Sequence, residues 1–223
     1  MSLLWTSAEM VEAMDGRPVG ELPEGVSGIS IDSRTISHGE AFFAIAGDRV
    51  DGHKFAGLAA KNGATLLVVS EAKLPALGRL TCGMIVVDDV LEAMGRLAMA
   101  ARARTDARII AVTGSVGKTS TKEMLAAGLK ASGKVHSAVA SFNNHWGVPL
   151  TLARMPADTE FGVFEIGMNH SGEIRPLTKM VRPHVAVITT VAPVHIGNFS
   201  GIKEIVAAKA EILEGLEPDG AAI

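Results

Sequence analysis

Eight consecutive residues, Thr113-Gly114-Ser115-Val116-Gly117-Lys118-Thr119-Ser120, carry the groups needed to hold a polyphosphate. Gly114 and Gly117 permit a tight turn, so that successive N–H groups converge on one concavity and the helix that follows aims its positive end there. Lys118 is placed to reach the outer phosphates of a nucleotide, and the Thr119 hydroxyl to ligate the accompanying Mg²⁺. The spacing departs from the common pattern, which asks for glycine five residues before Gly117; Val112 stands there. The same residues could form a plain glycine turn with an incidental surface lysine. The apolar run Ile109-Ile110-Ala111-Val112 before them and the helical pattern after them favour the cradle, because the motif needs a strand, a loop and a helix in that order.

Other polar residues follow apolar runs in the same way. Glu165 closes Phe161-Gly162-Val163-Phe164, and a strand-end carboxylate beside such a loop is a hard oxygen ligand for a nucleotide-bound Mg²⁺; the alternative is a solvated glutamate. After it, Asn169 and His170 could contact a substrate or cap their loop. His195 follows the run 185–191 and shares the sheet edge with Glu165 and the glycine loop, which leaves a ligand role and an ordinary polar role both open. Lys209, within Ala207-Ala208-Lys209-Ala210-Glu211, reads from its neighbours alone as a solvent-facing helix lysine. Asn143-Asn144-His145-Trp146-Gly147-Val148-Pro149 offers amides that could hold sugar, phosphate or peptide groups, but such residues are also ordinary loop punctuation.

Periodicity and punctuation supply the elements that must position these residues. A helix over 8–14 is capped by Thr6 and Ser7 and closed by Gly16 and Pro18; a strand over 26–31, a polar turn over 32–35 and a strand over 41–45 follow. Asp51 caps a helix over 54–61, and strands over 65–70 and 84–88 lead to a helix over 90–104. The basic, polar segment 102–106 marks a domain boundary, giving a small α/β domain over 1–106 and a second over 107–223. The second alternates: strand 109–112, helix 119–132, strands 134–138 and 160–165, helix 172–181, strand 185–190, helix 200–215. This predicts an α/β fold with a mostly parallel, doubly wound sheet and ligands outside the carboxyl ends of its strands. Gly220-Ala221-Ala222-Ile223 reads as the opening of another strand, so the second domain is expected to be incomplete.

With 223 residues, 48% of them hydrophobic, the chain has ample apolar surface for a packed core. A net charge of -3 with no run of Lys or Arg argues against nucleic-acid or anionic-membrane binding, so any phosphate is held locally. The single cysteine, Cys82, cannot form an internal disulfide, which fits a reducing cytoplasm. No apolar run approaches the roughly 20 residues of a membrane span, and the N-terminus lacks a signal-peptide pattern, so no membrane insertion is expected.

Taken together, Thr-Gly-Ser-Val-Gly-Lys-Thr-Ser-Thr-Lys-Glu-Met at 113–124, Asn-Asn-x-x-Gly-Val-Pro-Leu-Thr at 143–151, Glu-Ile-Gly-Met-Asn-His-x-Gly-Glu-Ile at 165–174, and His195 with Lys209 resemble the Mur ligases. These are ATP-dependent amide ligases that build the peptide stem of bacterial peptidoglycan. Ser30-Ile31-Asp32-Ser33-Arg34, Ala41-Phe42-Phe43-Ala44 and Asp51-Gly52-His53-x-Phe55 are similar to that family's uridine-nucleotide domain, so the resemblance covers nearly the whole chain. It implies a UDP-muramoyl substrate domain over 1–106, an ATP-binding domain over 107–223, ATP and Mg²⁺ as cofactors, and a monomer. The block at 165–174 resembles the branch that adds D-alanyl-D-alanine to UDP-N-acetylmuramoyl-tripeptide; the branch that adds the third stem residue ranks second. The family has three domains, which implies a truncated chain that catalyses little by itself.

The resemblance also implies roles by position. Thr113, Gly114, Ser115, Val116, Gly117, Lys118, Thr119 and Ser120 would bind ATP; Thr119 and Glu165 would hold one Mg²⁺, and His195 would help hold a second. Lys209 matches a lysine that many members carry as a carbamate, which turns an ammonium into a carboxylate-like metal ligand. Lys118, His195 and Lys209 are therefore the catalytic candidates. Ser33, with Asp48, Arg49 and Val50, aligns with residues around the uracil ring, and Asn144 and Arg175 with contacts to the muramoyl-peptide. The implied reaction activates the tripeptide carboxylate as an acyl phosphate, which the dipeptide amine then attacks. Two rival readings are a non-catalytic nucleotide-binding module, against which residues 30–55 argue, and the related folate polyglutamate ligases, which normally lack a uridine-nucleotide domain.

Overall fold

The computed structural model describes residues 3–47, 50–78, 80, 82–139, 141–193 and 196–223, the side chain of Ile196 excepted. Two compact units emerge, Met1–Ala100 and Ala101–Ile223.

In the first unit β1 (Trp5–Thr6) leads into α1 (Ser7–Met14). Thr6 and Glu9 close a reciprocal capping box at the start of α1, the Thr6 hydroxyl accepting from the Glu9 N–H and the Glu9 carboxylate from the Thr6 N–H. Then come β2 (Arg17–Val19), β3 (Gly25–Val26), β4 (Gly28–Ser30), β5 (Glu40–Phe43), α2 (Ala56–Lys61), β6 (Leu66–Ser70), α3 (Leu74–Leu77), β7 (Gly83–Val87) and α4 (Val90–Ala103), whose last turn enters the second unit. The sheet runs β2-β7-β6-β5-β4, parallel except for β2. Pro18, expected only to end the first helix, lies in β2 at the sheet edge, where its missing N–H is tolerated. The single strand expected over 26–31 divides: Val26 pairs with Trp5 in a two-stranded ribbon, while Gly28–Ser30 joins β5. The helix expected over 54–61 opens as a 3₁₀ turn, Gly52–Phe55, before α2. Phe42, Leu67, Val69, Val86 and Ala56 form a core cluster of this unit.

The second unit contains β8 (Arg108–Thr113), α5 (Lys118–Leu129), β9 (Val135–Ser137), α6 (Gly147–Ala153), β10 (Phe161–Glu165), α7 (Ile174–Val181), β11 (Val185–Ile188), α8 (Ile202–Ala210) and β12 (Ala221–Ala222). All its strands are parallel, in the order β12-β11-β8-β10-β9. The chain fills one side of β8 with β9 and β10 and then crosses to β11, so the order reverses at β8, the position at which doubly wound sheets open a ligand crevice. Register aligns the strand ends, with Glu165 opposite Val112 and Ile188 opposite Thr113. Ile109, Ala111 and Val112 of β8, Val163 and Phe164 of β10, and Ile174 and Val181 of α7 are buried in the core. Ala221–Ala222 pairs with β11, as the last residues suggested, while the helix expected over 200–215 gives way after Ala210 to a 3₁₀ turn, Glu211–Gly215. The polar run 102–106 is not a free linker: the buried Arg102 guanidinium donates to the Val181 and Arg182 carbonyls, capping the end of α7.

Candidate functional site

β8 delivers Thr113 to the carboxyl edge of the sheet, and the backbone turns there on two glycines. Gly114 has φ 148° and Gly117 φ 83°. A Cβ on Gly114 would lie 1.9 Å from Thr189 Oγ1, so the loop passes where a side chain cannot. The segment after β11 fixes the loop: the Ser115 N–H donates to the Thr190 carbonyl at 2.9 Å, the Ser115 hydroxyl bridges to Ala192 through its carbonyl and N–H, and the Thr189 hydroxyl donates to the Val116 carbonyl at 2.6 Å. α5 then begins at Lys118 with no side-chain cap, which leaves first-turn N–H groups available to an anion. The Lys118 ammonium reaches back over the loop to the Gly114 carbonyl, 2.9 Å away. Thr113 Oγ1 is buried and has no hydrogen-bond partner among the described residues.

The end of β10 meets this loop. Glu165 is only 2% exposed, which overturns the reading of a solvated strand-end glutamate. One of its carboxylate oxygens accepts from the Thr119 hydroxyl at 2.8 Å and the other from the Asn143 side-chain amide at 2.6 Å. A hydroxyl and a carboxylate in contact beside this glycine loop form a hard oxygen donor set, which fits Mg²⁺. Thr119 Oγ1 also lies 3.3 Å from Ser141 Oγ, and the Gly167 N–H donates to the Asn143 carbonyl at 2.7 Å, so the loop after β9 is bound to the start of α5 and to the segment that follows β10.

Lys209, near the end of α8, is 3% exposed, contrary to the solvent-facing lysine expected from its neighbours. Burial first, and then the positive charge of Lys118, bring its ammonium pKa down to about 8. Two residues on, the buried Glu211 carboxylate accepts from the Gly172 and Arg175 N–H groups, capping the start of α7.

The remaining candidates are placed as follows. Asn144 spends its side-chain oxygen on the Gly147 N–H at 2.9 Å, which caps α6. The Arg175 guanidinium donates to Glu214 at 2.7 Å. Asn169 and His170 are exposed in the loop after β10, where the Asn169 N–H donates to Glu173. In the first unit Ser33 is buried, its carbonyl accepting from the Asn62 amide, and is flanked by Asp32, whose pKa Arg34 holds down to about 2. Val50 is 58% exposed, and its carbonyl accepts from the Gly47 N–H. Close by, the Ser70 N–H donates to His53 Nε2, so the ring proton sits on Nδ1 and is donated to Asp51, which also pairs with Lys73. Asp48, Arg49 and His195 lie outside the described residues. Asn143 was not singled out from its neighbours in the sequence, since an amide next to another amide gives no sign of which one faces the carboxylate.

Among the described residues no helix is long and apolar enough to cross a membrane. The family model described as the Mur ligase middle domain matches residues 112–223, and that described as Mur ligase family, catalytic domain, matches residues 25–102. The UDP-N-acetylmuramoyl-tripeptide--D-alanyl-D-alanine ligase of Bacillus subtilis is 38% identical over 97% of this chain and 47% of the relative. MurF from Acinetobacter baumannii superposes with a TM-score of 0.85 at 34% identity, over 98% of this chain and 48% of that one. The MurF ligase of Thermotoga maritima, solved in complex with ADP, gives 0.71 at 28% identity, over 87% of this chain and 44% of that one. The chain thus spans about half the length of the relatives it matches. With a middle-domain match over half of its residues and a glycine loop, a hydroxyl and a carboxylate assembled at the reversal of the sheet, the chain belongs to the Mur ligase family.

Proposed function

We propose that the complete protein containing this chain joins D-alanyl-D-alanine to UDP-N-acetylmuramoyl-tripeptide at the expense of ATP, in the cytoplasm, as a step in peptidoglycan precursor synthesis. Residues 107–223 would carry the ATP site and residues 1–106 the uridine-nucleotide substrate. The observation that carries the reading is the 2.8 Å contact between Thr119 Oγ1 and Glu165 at the mouth of the glycine loop.

In this reading the loop N–H groups and the first turn of α5 orient the ATP phosphates, and Lys118 neutralises charge on the transferred group. Thr119 and Glu165 would hold Mg²⁺, which supplies electrophilic polarisation of the phosphate oxygens when bound. Asn143 holds the far oxygen of Glu165 and thereby fixes the direction of the near one. The tripeptide carboxylate oxygen attacks the γ-phosphate, ADP leaves, and the dipeptide amine displaces phosphate from the acyl phosphate. Burial without an anionic partner among the described residues supports a carbamate on Lys209, since the modification exchanges an unpaired cation for a group able to ligate metal. Ser33, Asp48, Arg49 and Val50 remain the candidates for the uracil site, Asn169 and His170 for contacts to the substrate, and His195 for a second Mg²⁺.

The test is ADP and phosphate release by the complete protein with UDP-N-acetylmuramoyl-tripeptide and Mg²⁺, with and without D-alanyl-D-alanine. Turnover that requires the dipeptide, with the pentapeptide product identified by mass, is expected. Turnover supported by a single free amino acid would move the protein to the branch that adds the third residue. Hydrolysis independent of any acceptor would favour a nucleotide-binding module.

A further inference from the structure

Lys122 is a charged group with no part in the phosphate reading, yet it is completely buried, at 0% exposure. It lies on α5 one turn beyond Thr119. Its Nζ donates to the Ala138 carbonyl at 2.7 Å and to Glu123 Oε1 at 2.7 Å. An ammonium is costly to remove from water, and an apolar side chain of similar length would fill the same space without that cost. In some proteins a buried charge or polar group is retained because it selects one arrangement of the chain.

The arrangement in question is the path from β9 to α6. Ala138 is the first residue after β9, and the chain from there must bring Ser141 to Thr119 and Asn143 to Glu165. The Asn143 N–H donates to the Ser141 carbonyl at 3.0 Å, so these two residues move together. Ser141 and its partner Thr119 are exposed and Asn143 is half-buried where it meets the buried Glu165, whereas the Lys122 contact to Ala138 is sealed from water. We propose that Lys122 is a positioning residue for the nucleotide-bound metal: by fastening Ala138 to the helix that presents Lys118 and Thr119, it places Asn143 on Glu165 and so aims the carboxylate. Glu123, with 59% of its side chain exposed, serves only as a counter-ion.

This inference rests on the reading of Thr119 and Glu165 as the Mg²⁺–nucleotide site. Its test is the binding of a fluorescent ADP analogue to the complete protein at increasing Mg²⁺, with thermal melting measured in parallel. Lys122→Met is expected to raise the half-saturating Mg²⁺ concentration about tenfold, the low end for residues that orient metal ligands, and to leave metal-free ADP affinity unchanged. Glu123→Gln is expected to stay within about twofold of wild type. A Lys122→Met protein that melts earlier but keeps the wild-type Mg²⁺ dependence overturns the proposal, since a purely structural role predicts that pattern. If Lys122→Met does not fold, Lys122→Arg carries the test. Its longer head in a sealed slot must displace Ala138, so a shift of about threefold is expected and an unchanged Mg²⁺ requirement overturns the proposal. Wild-type protein that binds no ADP at any Mg²⁺ concentration overturns the nucleotide reading itself and this inference with it.

Discussion

Gly114 and Glu165 show how much of the candidate site depends on single atoms. At Gly114 a methyl group would strike Thr189 Oγ1, and the φ of 148° is one that other residues avoid. Gly114→Ala is therefore expected to deform the loop at a cost of about 1–3 kcal/mol, seen as a fall of about tenfold or more in nucleotide affinity by titration calorimetry. Adding Thr189→Ala should recover only part of this, because the clash is removed but the Thr189 bond to the Val116 carbonyl is lost as well. Glu165→Gln keeps the shape and an acceptor for Thr119 and presents an NH₂ to Asn143, whose amide must turn its oxygen inward to accept from it, but removes the charge that a hard cation needs. It is expected to weaken Mg²⁺-dependent ADP binding by about 10–100-fold while the melting temperature stays near that of wild type. The pairing of Thr119 with Glu165 was legible in the sequence because a threonine after Gly-Lys and a carboxylate at a neighbouring strand end can meet only at the carboxyl edge of a parallel sheet. Asn144 and Lys209 were less legible. A side-chain amide before a Gly-Val-Pro turn suits a ligand contact and a helix cap equally, and a lysine between alanines carries no sign of which face of its helix is covered.

At the level of elements, the strand–loop–helix of β8 and α5 was readable from one continuous apolar run and its glycine stop, because both signals are local. The division of residues 26–31 between two sheets was not, because the partners that separate them, Trp5 and β5, lie far away in the sequence. Pro18 misled for a related reason: proline is excluded from sheet interiors, but only the tertiary arrangement puts β2 at an edge. The start of β8 also carries a pH dependence that no sequence pattern announces. The Ile109 N–H donates to His184 Nδ1 at 3.0 Å, which requires an unprotonated nitrogen. Burial, followed by the charges of Arg102 and Arg108, lowers the His184 pKa below its ordinary 6.5, with Glu217 and Asp219 opposing. His136, whose Nε2–H donates to the Thr151 carbonyl at 2.7 Å, is also lowered, mainly by burial. A depressed folded-state pKa favours the fold above the unfolded value and is lost as pH falls through it. From the histidines the melting temperature is therefore expected to be level between about pH 7 and 8 and to fall below about pH 6.5, while the lowered Lys209 pKa adds a rise above about pH 8. His184→Asn, which can offer an oxygen to the same N–H without titrating, should flatten part of that fall in a calorimetric pH series.

For the whole molecule, the decisive comparison is between this chain and the complete protein. The chain is two units, each with its own sheet, and spans 47% of the Bacillus subtilis relative. Residues 112–167 of the second unit already bring together a glycine loop, a lysine and a carboxylate–hydroxyl pair, so the proposed phosphate and metal binding would depend on contacts within that unit. An acyl phosphate is a different demand. It must be kept from water until the amine arrives, which in general requires a site that closes over the intermediate. On the described side of the crevice Val116 is 58% exposed, and Thr119 and Ser120 are also open to solvent. The 223-residue chain on its own is therefore expected to bind ADP in the presence of Mg²⁺ and to form no pentapeptide, whereas under the proposed function the complete protein would do both. Isothermal titration with ADP, run beside mass analysis of a reaction containing ATP, UDP-N-acetylmuramoyl-tripeptide and D-alanyl-D-alanine, separates the two abilities. Pentapeptide formation by the chain alone would mean that its own residues suffice to protect the activated carboxylate, and that closure by further sequence is not required for the chemistry.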